Sequence, residues 1–470
     1  MATNSSVAGT QYIRYPNDYN LKELSLITPL VNGGVDLLTF MIELNLFEDI
    51  YSSTISGEVV LQDSLGLISK YLLNGTEFIQ VQLQKTSNDS KYISRNYRVY
   101  KISKRVISDS NQYEVYVLNF CSEEFLLSEQ YRLSKAYKGK QIDFIIKDIM
   151  KTYVLPKSAN KTFSVDSTKG FYDFILPNKK IFETINWLST YAQANDSGLE
   201  GADMIFYENS QGYQFHSLQT LYKLKPYQSY KFDPKNILNK GAGLIDIQQQ
   251  LTNASDFEVL DFFDTLSATT NGTFSNKLIT IDPFTRRSNT SFFNYQNYKG
   301  QKLNDFGLTN NYKNRLGGTM YGEIPNAPPG LESGTLRLAT TNSEQKKKSY
   351  IKKEPDAVAN DIMIEKYLPN RVSQLSLANY MRIKITVPGD PLLSAGTVIY
   401  FSTYGIGTDP NSNSREPDKL YTGKYLVTAV RHIVKNSGYI TVMEICKDSV
   451  STPYSGTSSS LTQYINGVQI

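Results

Sequence analysis

The sequence predicts a mainly β fold with an α+β component: two similar antiparallel β-barrel domains, a small α+β domain and an inserted loop-rich region. Three observations predict it. Period-two alternation of apolar and polar residues dominates both ends of the chain, an i, i+3, i+4 apolar stripe is confined to the middle, and the turn punctuation of the first alternating region returns in the last. The 34 Tyr and 22 Phe against 1 Trp fit the same reading, because Tyr and Phe favour pleated surfaces.

Residues 1–35 read as an N-terminal arm, and the first barrel is expected over 36–125. Phe40, Ile42, Leu44 and Leu46 mark one face of its first strand. Ile79, Val81 and Leu83 interleave with Gln80, Gln82 and Gln84 after an Asn74-Gly75 turn. Tyr113, Val115 and Val117 continue the pattern beyond a polar turn at 108–112. The period then changes over 126–235. Ile142, Ile145, Ile146, Ile149 and Met150 form the stripe of an amphipathic helix, with Asp143 in its first turn. A second helix is expected from Lys180 to Ala194. Ile181, Ile185, Leu188 and Ala192 lie on one face, Phe182 and Trp187 broaden it, and Asp196-Ser-Gly198 stops it. Met204 to Tyr207 and Tyr213 to Phe215 then read as a hairpin, completing the α+β domain.

The second barrel is expected in two pieces, 236–284 and 371–450, around an insertion at 285–370 rich in Asn, Gly, Pro, Ser and Lys. A short helix is predicted from Val358 to Tyr367, before Pro369. Met381, Ile383, Ile385 and Val387 alternate with Arg382, Lys384 and Thr386 ahead of the turn Pro388-Gly389-Asp390. Residues 451–470, with Ser458-Ser-Ser460, read as a C-terminal tail that a partner orders.

An internal echo decides the architecture. Gly57 to Leu61 leads through Leu72-Leu73-Asn-Gly75 to a strand at Phe78 to Leu83; Ile383 to Val387 leads through Leu392-Leu393-Ser-Ala-Gly396 to a strand at Val398 to Phe401. Tyr100 and Tyr113 bracket a turn before a strand ending at Cys121, and Tyr425 and Tyr439 bracket another before one ending at Cys446. Two similar barrels follow from this punctuation.

Composition excludes several functions. With 49 Lys and Arg against 45 Asp and Glu the formal charge is +4, so no single-sign field marks the chain as a dedicated nucleic-acid binder. Cys121 and Cys446 are too few for a disulfide framework or a multi-cysteine zinc site, which fits an intracellular assembly compartment. The first twenty residues lack the basic and apolar regions of a secretory signal, and no stretch approaches the ~18 apolar residues of a membrane helix.

Chemistry-bearing clusters are missing from the sequence. The two histidines, His216 and His432, stand far apart and read as locally hydrogen-bonded strand residues. No Gly-x-Ser-x-Gly elbow, phosphate-binding loop or dinucleotide fingerprint occurs. Glu123-Glu124 reads as a solvated corner. Lys346, Lys347, Lys348, Lys352 and Lys353 read as a solvated loop, with docking to an acidic partner or passing nucleic acid as the functional alternative. No catalytic, cofactor-binding or metal residue is therefore nominated, no cofactor is expected, and the chain is read as a non-enzyme.

The residues also resemble a family. Leu38 to Leu83, with Ser56-Gly-Glu-Val-Val-Leu-Gln-Asp63, is similar to the opening barrel of baseplate hub proteins from contractile-tailed bacteriophages. Lys180 to Leu188 followed by Met204 to Leu218 resembles the helix-then-hairpin unit of those hubs and of the hub part of type VI secretion spike proteins. Val387-Pro-Gly-Asp-Pro-Leu-Leu393, Tyr421 to His432 and Tyr439 to Glu444 resemble their second barrel. The resemblance covers about 36–450.

It implies a homotrimer in which six barrels form a pseudo-six-fold ring at the distal end of a phage tail. One face meets the hexameric tail tube and the other a trimeric central spike, with wedge or tape-measure proteins as further neighbours. Assembly in the host cytoplasm, a part in genome ejection, no sequence-specific nucleic-acid binding and no stable membrane insertion complete the expectation. The chain ends soon after the second barrel, so membrane puncture is expected of a separate spike polypeptide. A tail-associated cell-wall or glycan-degrading enzyme and a receptor-binding β protein are the alternatives.

Overall fold

Alternation builds the first unit from six strands: β1 (Asn20–Ile27), β2 (Met41–Asp49), β3 (Ser56–Asp63), β4 (Phe78–Gln84), β5 (Ile93–Ile107) and β6 (Glu114–Ser122). The computed structural model describes residues 16–29, 34–85, 92–109, 112–157, 161–195, 201–233, 247–282, 287–294, 300–307, 335–340, 364–405 and 416–452. These strands pair antiparallel in the order β2-β3-β6-β5-β4-β1. Ile79, Val81 and Leu83 point into a core with Leu24, Leu44, Val59 and Leu118. Two details differ from expectation. A register irregularity between Met41 and Glu43 turns Ile42 outward, where it is exposed. In β6 the fully buried face carries Tyr116, Leu118 and Phe120 rather than Tyr113 and Val115, because both faces of that strand are apolar enough to hide its parity.

The middle unit follows the 3.6-residue period. Helix α1 (Glu123–Gln130) leaves β6, and α2 (Ile142–Ile149) buries Ile142, Ile145, Ile146 and Ile149 completely, with Met150 just beyond its end. Strand β7 (Thr162–Val165) and α3 (Ile181–Ser189) precede the hairpin of β8 (Met204–Asn209) and β9 (Gly212–Ser217). Phe182, Phe206 and Tyr213 stack in its core, the last two rings parallel at 5.8 Å. Trp187 packs edge-on against Phe174 and Tyr191, each at 5.4 Å. The expected stop of α3 at 196–198 lies outside the described residues.

The short helix α4 (Leu218–Tyr222) leads to the second unit: β10 (Ser229–Phe232), β11 (Asp256–Phe262), and then, after an excursion, four more strands. Within the excursion β12 (Ser275–Asp282), β13 (Arg287–Asn294) and β14 (Thr335–Thr340) form a separate three-stranded sheet, so 275–282 pairs there and not with the second unit. Helix α5 (Ile364–Ala378) runs on through Pro369, where the prediction had it end. Tertiary contacts hold it past the proline: Arg371 donates to the carbonyls of Ala202 at 2.6 Å and Ser189 at 3.3 Å, and Leu377 and Ala378 are buried. The lysine run at 346–353 and the helix start at 358 lie outside the described residues.

The remaining strands of the second unit are β15 (Met381–Pro388), β16 (Val398–Thr403), β17 (Gly423–Lys435) and β18 (Gly438–Lys447). The second unit pairs in the order β11-β15-β18-β17-β16-β10, strand for strand the order of the first. Only the last step differs, since β10 runs parallel to β16 whereas β1 runs antiparallel to β4. Among the described residues no ladder joins the two end strands of either order, but the segments leading into β2 and β11 reach across: Val35–Asp36 pairs antiparallel with β1, and Asn253 bridges Lys231 of β10. The outer edge of β2 is taken by β17, so the two units merge into one sheet, which counts 13 strands with the two-residue Val35–Asp36 beside β1.

Candidate functional site

The feature that distinguishes this molecule is how its two units are joined. The repeat holds to the residue. In the first unit Arg98 pairs with Phe78 on one side and Cys121 on the other; in the second Leu426 pairs with Val398 and Cys446. One step on, Val99 pairs with Phe120 and Val427 with Ile445, and each strand then bulges by one residue, Tyr100 and Thr428. Gly57 to Leu61 and Ile383 to Val387 sit at the same positions against these strands, as the echo predicted. The tyrosines were matched wrongly: Tyr425 stands at the position of Tyr97, not Tyr100.

The join itself is antiparallel, from Ala429 opposite Asp49 to Lys435 opposite Glu43. One face of it is apolar, with Leu44, Leu46, Val434 and Tyr439 in the first unit's core. The other is ionic. Arg431 donates to Asn45 Oδ1 at 3.0 Å and lies 3.3 Å from Glu43, which Lys435 reaches at 3.0 Å. Burial pushes the Glu43 carboxyl up, but Asn45, Lys435 and Arg431 outweigh it and hold it below the ordinary carboxylate range. The pairing of cross-strand charges fixes the register that the apolar face alone would leave free to slip by two residues.

The β8–β9 hairpin clasps this join from the side. Asn209 donates to the Ala395 carbonyl at 3.1 Å, while the Ala395 N–H donates to Glu48 Oε2 at 3.0 Å on β2. Arg95 of β5 donates to the Ser210 carbonyl at 2.9 Å. Gly396 makes the approach possible: its φ of +87° suits glycine, and a Cβ there would meet the Tyr207 hydroxyl at 2.1 Å. Behind the hairpin, Glu208 accepts from Ser122 Oγ at 2.6 Å and from the Ile55 N–H at 3.0 Å, and Lys161 bridges it to Glu124. Glu124 is therefore buried in an ion pair and not part of a solvated corner.

The two histidines sit in strands. His216 contacts Asp166 at 2.8 Å and Gln214 at 3.0 Å; His432 Nδ1 lies 2.7 Å from the Tyr439 hydroxyl. Cys121 and Cys446 are buried free thiols. Among the described residues no three His, Cys, Asp or Glu side chains converge to hold a metal. A cavity of about 10 Å³ beside Asp203, Gln219, Lys302 and Asp448 has room for one water.

No family model matches the chain. A curated protein, "Probable baseplate hub protein gp334" of Vibrio phage KVP40, is 20% identical to it over 414 residues, covering 85% of this chain and 89% of the relative. Among solved structures, the 43 kDa tail protein of prophage MuSo2 from Shewanella oneidensis aligns over 91% of this chain and 98% of its own, at 7% identity and a TM-score of 0.49. The tail protein from Neisseria meningitidis MC58 covers 92% and 97%, at 9% identity and 0.47. The E. coli c3393 protein, a component of the type VI secretion system, covers 93% and 79%, at 8% and 0.42. The curated relative falls in the family that the barrel and hairpin residues resemble, and the chain is a homologue of a phage baseplate hub protein.

Proposed function

We propose that the chain is the structural hub at the distal end of a phage tail: a homotrimeric ring of pseudo-six-fold symmetry joining a hexameric tail tube to a trimeric central spike. The repeat of strand order and register within one chain supports this reading. Three copies of a chain that holds two like units present six like units around one axis, which suits a six-fold neighbour on one face and a three-fold neighbour on the other. Wedge or tape-measure proteins would meet the same ring at its other surfaces. The hub is read as assembled in the host cytoplasm, as non-enzymatic, and as binding no specific nucleic-acid sequence. No helix among the described residues is long and apolar enough to cross a membrane.

Light scattering on the eluting full-length chain, followed by negative-stain class averages, tests the ring. A trimeric mass with six peripheral lobes around a channel is the expected result, and a concentration-independent monomer overturns it. Release of soluble fragments from purified cell walls by the same preparation would overturn the non-enzymatic reading.

A further inference from the structure

The join between the two units leaves one copy of itself unmade. Within the chain, edge strand β2 of the first unit pairs with residues 429–435 of β17 in the second. Under the repeat, β11 takes the place of β2 and residues 101–107 of β5 take the place of that part of β17. Among the described strands, β11 has a partner only on its β15 side, and residues 101–107 of β5 only on their β6 side. We propose that these two edges pair with each other between copies, β11 of one subunit against β5 of the next, repeating between chains the join made within each. The proposal rests on the ring reading and names the strands that close it.

Three observations support a second copy of this chain as the occupant. The edges are apolar where they are free: Val106 is 64% and Ile107 54% exposed on β5, and Leu260 39% and Phe263 52% at the end of β11. Long exposed apolar edges template pairing unless they are covered. The charges are complementary, since β5 offers Lys101, Lys104 and Arg105 whereas β11 offers Asp256, Glu258 and Asp261. Arg105 is bound to Glu114, Glu258 to Lys384 and Asp261 to Arg382, so the new contacts extend ion pairs at the rim into a network. The contact is also continuous with the internal one, since a head-to-tail pairing that repeats the β2–β17 join turns through the same angle at each step, as the proposed ring of six units from three chains requires.

The repeat also sets the register. Arg431 opposite Phe47 becomes Ser103 opposite Asp261, Ile433 opposite Asn45 becomes Val106 opposite Glu258, and Val434 opposite Leu44 becomes Ile107 opposite Phe257. The two-residue irregularity at Lys104 and Arg105 stands where β17 has His432 alone, so a cationic bulge lies between two carboxylates of the neighbour.

A full-length chain carrying Val106→Cys and Glu258→Cys tests the pairing by oxidation and non-reducing electrophoresis. Both native cysteines are buried, so background coupling is low. Opposed residues of an antiparallel pair lie within disulfide reach, and covalent trimers are expected from the double variant and not from either single one. A trimeric mass without cross-linking overturns the strand pairing and leaves the ring. A bond within one monomer overturns it also, and a monomeric mass overturns ring and pairing together. As a second readout, Lys104→Glu places like charges together at each contact and is expected to lower the trimer's association constant by about tenfold or more, with Glu258→Lys in the same chain restoring it. An unchanged constant would count against the register.

Discussion

Glu208 Oε1 lies 2.7 Å from Lys161 Nζ, and both side chains are shut away from solvent. The ammonium also holds Glu124 at 2.6 Å, so one buried cation serves two carboxylates from the start of α1 and the end of β8. Burial pushes Glu208 above its ordinary value, and Lys161 opposes that push. Removing only the cation leaves the carboxylates stranded. Lys161→Met is expected to cost about 3–5 kcal/mol in urea unfolding. Adding Glu208→Gln should recover part of this loss; no recovery would mean that Lys161 acts through packing alone.

Gly396 carries the contact between the hairpin and the second unit. An alanine there must hold a φ of +87° and bring its Cβ to 2.1 Å from the Tyr207 hydroxyl and 2.8 Å from the ring carbon that bears it. Strain and overlap act together, and Gly396→Ala is expected to lose about 2–4 kcal/mol in thermal or chemical unfolding. Tyr207→Phe in the same chain removes the nearer atom and not the farther, so it should return a fraction of the loss. Full stability in the single variant would show that the hairpin is not seated on the Ala395–Gly396 turn.

How much of this was legible varied with range. Ile79, Val81 and Leu83 announced their strand because one face is wet, and the α2 stripe announced its helix because five apolar residues recur at helical spacing. The repeat was legible in Gly57 to Leu61 and Ile383 to Val387, where glycines and paired leucines punctuate both copies. The tyrosines mislead, because the first copy carries two residues, Lys104 and Arg105, where the second has His432 alone, and this extra residue shifts the spacing without marking the sequence. Glu124 was misread because its partner, Lys161, is brought to it by the fold and not by spacing. The β2–β17 join lies between segments almost four hundred residues apart, and no local pattern encodes which edge meets which.

His432 is fully buried in β17, and burial holds its imidazole down at about 4, with Nδ1 2.7 Å from the Tyr439 hydroxyl. Above the ordinary value of 6.5 the ring is neutral in folded and unfolded chains alike. As pH falls from 6.5 toward 4, the unfolded chain binds a proton that the folded chain refuses, so stability drops, by at most about 3 kcal/mol from this group. His432→Gln removes the titration and keeps a side-chain amide that can donate to or accept from Tyr439. Its unfolding free energy should fall less steeply over that window, and an unchanged slope would place the acid sensitivity elsewhere.

Glu48 works in the opposite direction at the join. Burial, with the nearby Glu208 charge adding to it, pushes its carboxyl up to about 8, against the pull of the Ala395 N–H. Below its ordinary 4.5 the group is protonated in both states and contributes nothing. Between 4.5 and about 8 the unfolded chain releases a proton that the folded chain keeps, so stability declines as pH rises, by at most about 5 kcal/mol. Glu48→Gln can still accept from Ala395 but has no proton to lose. Urea midpoints measured across this window should therefore converge for the two proteins at the acid end and separate toward pH 8, with the variant the more stable. A constant difference at every pH would mean that Glu48 does not titrate in the folded hub and that the clasp is insensitive to pH.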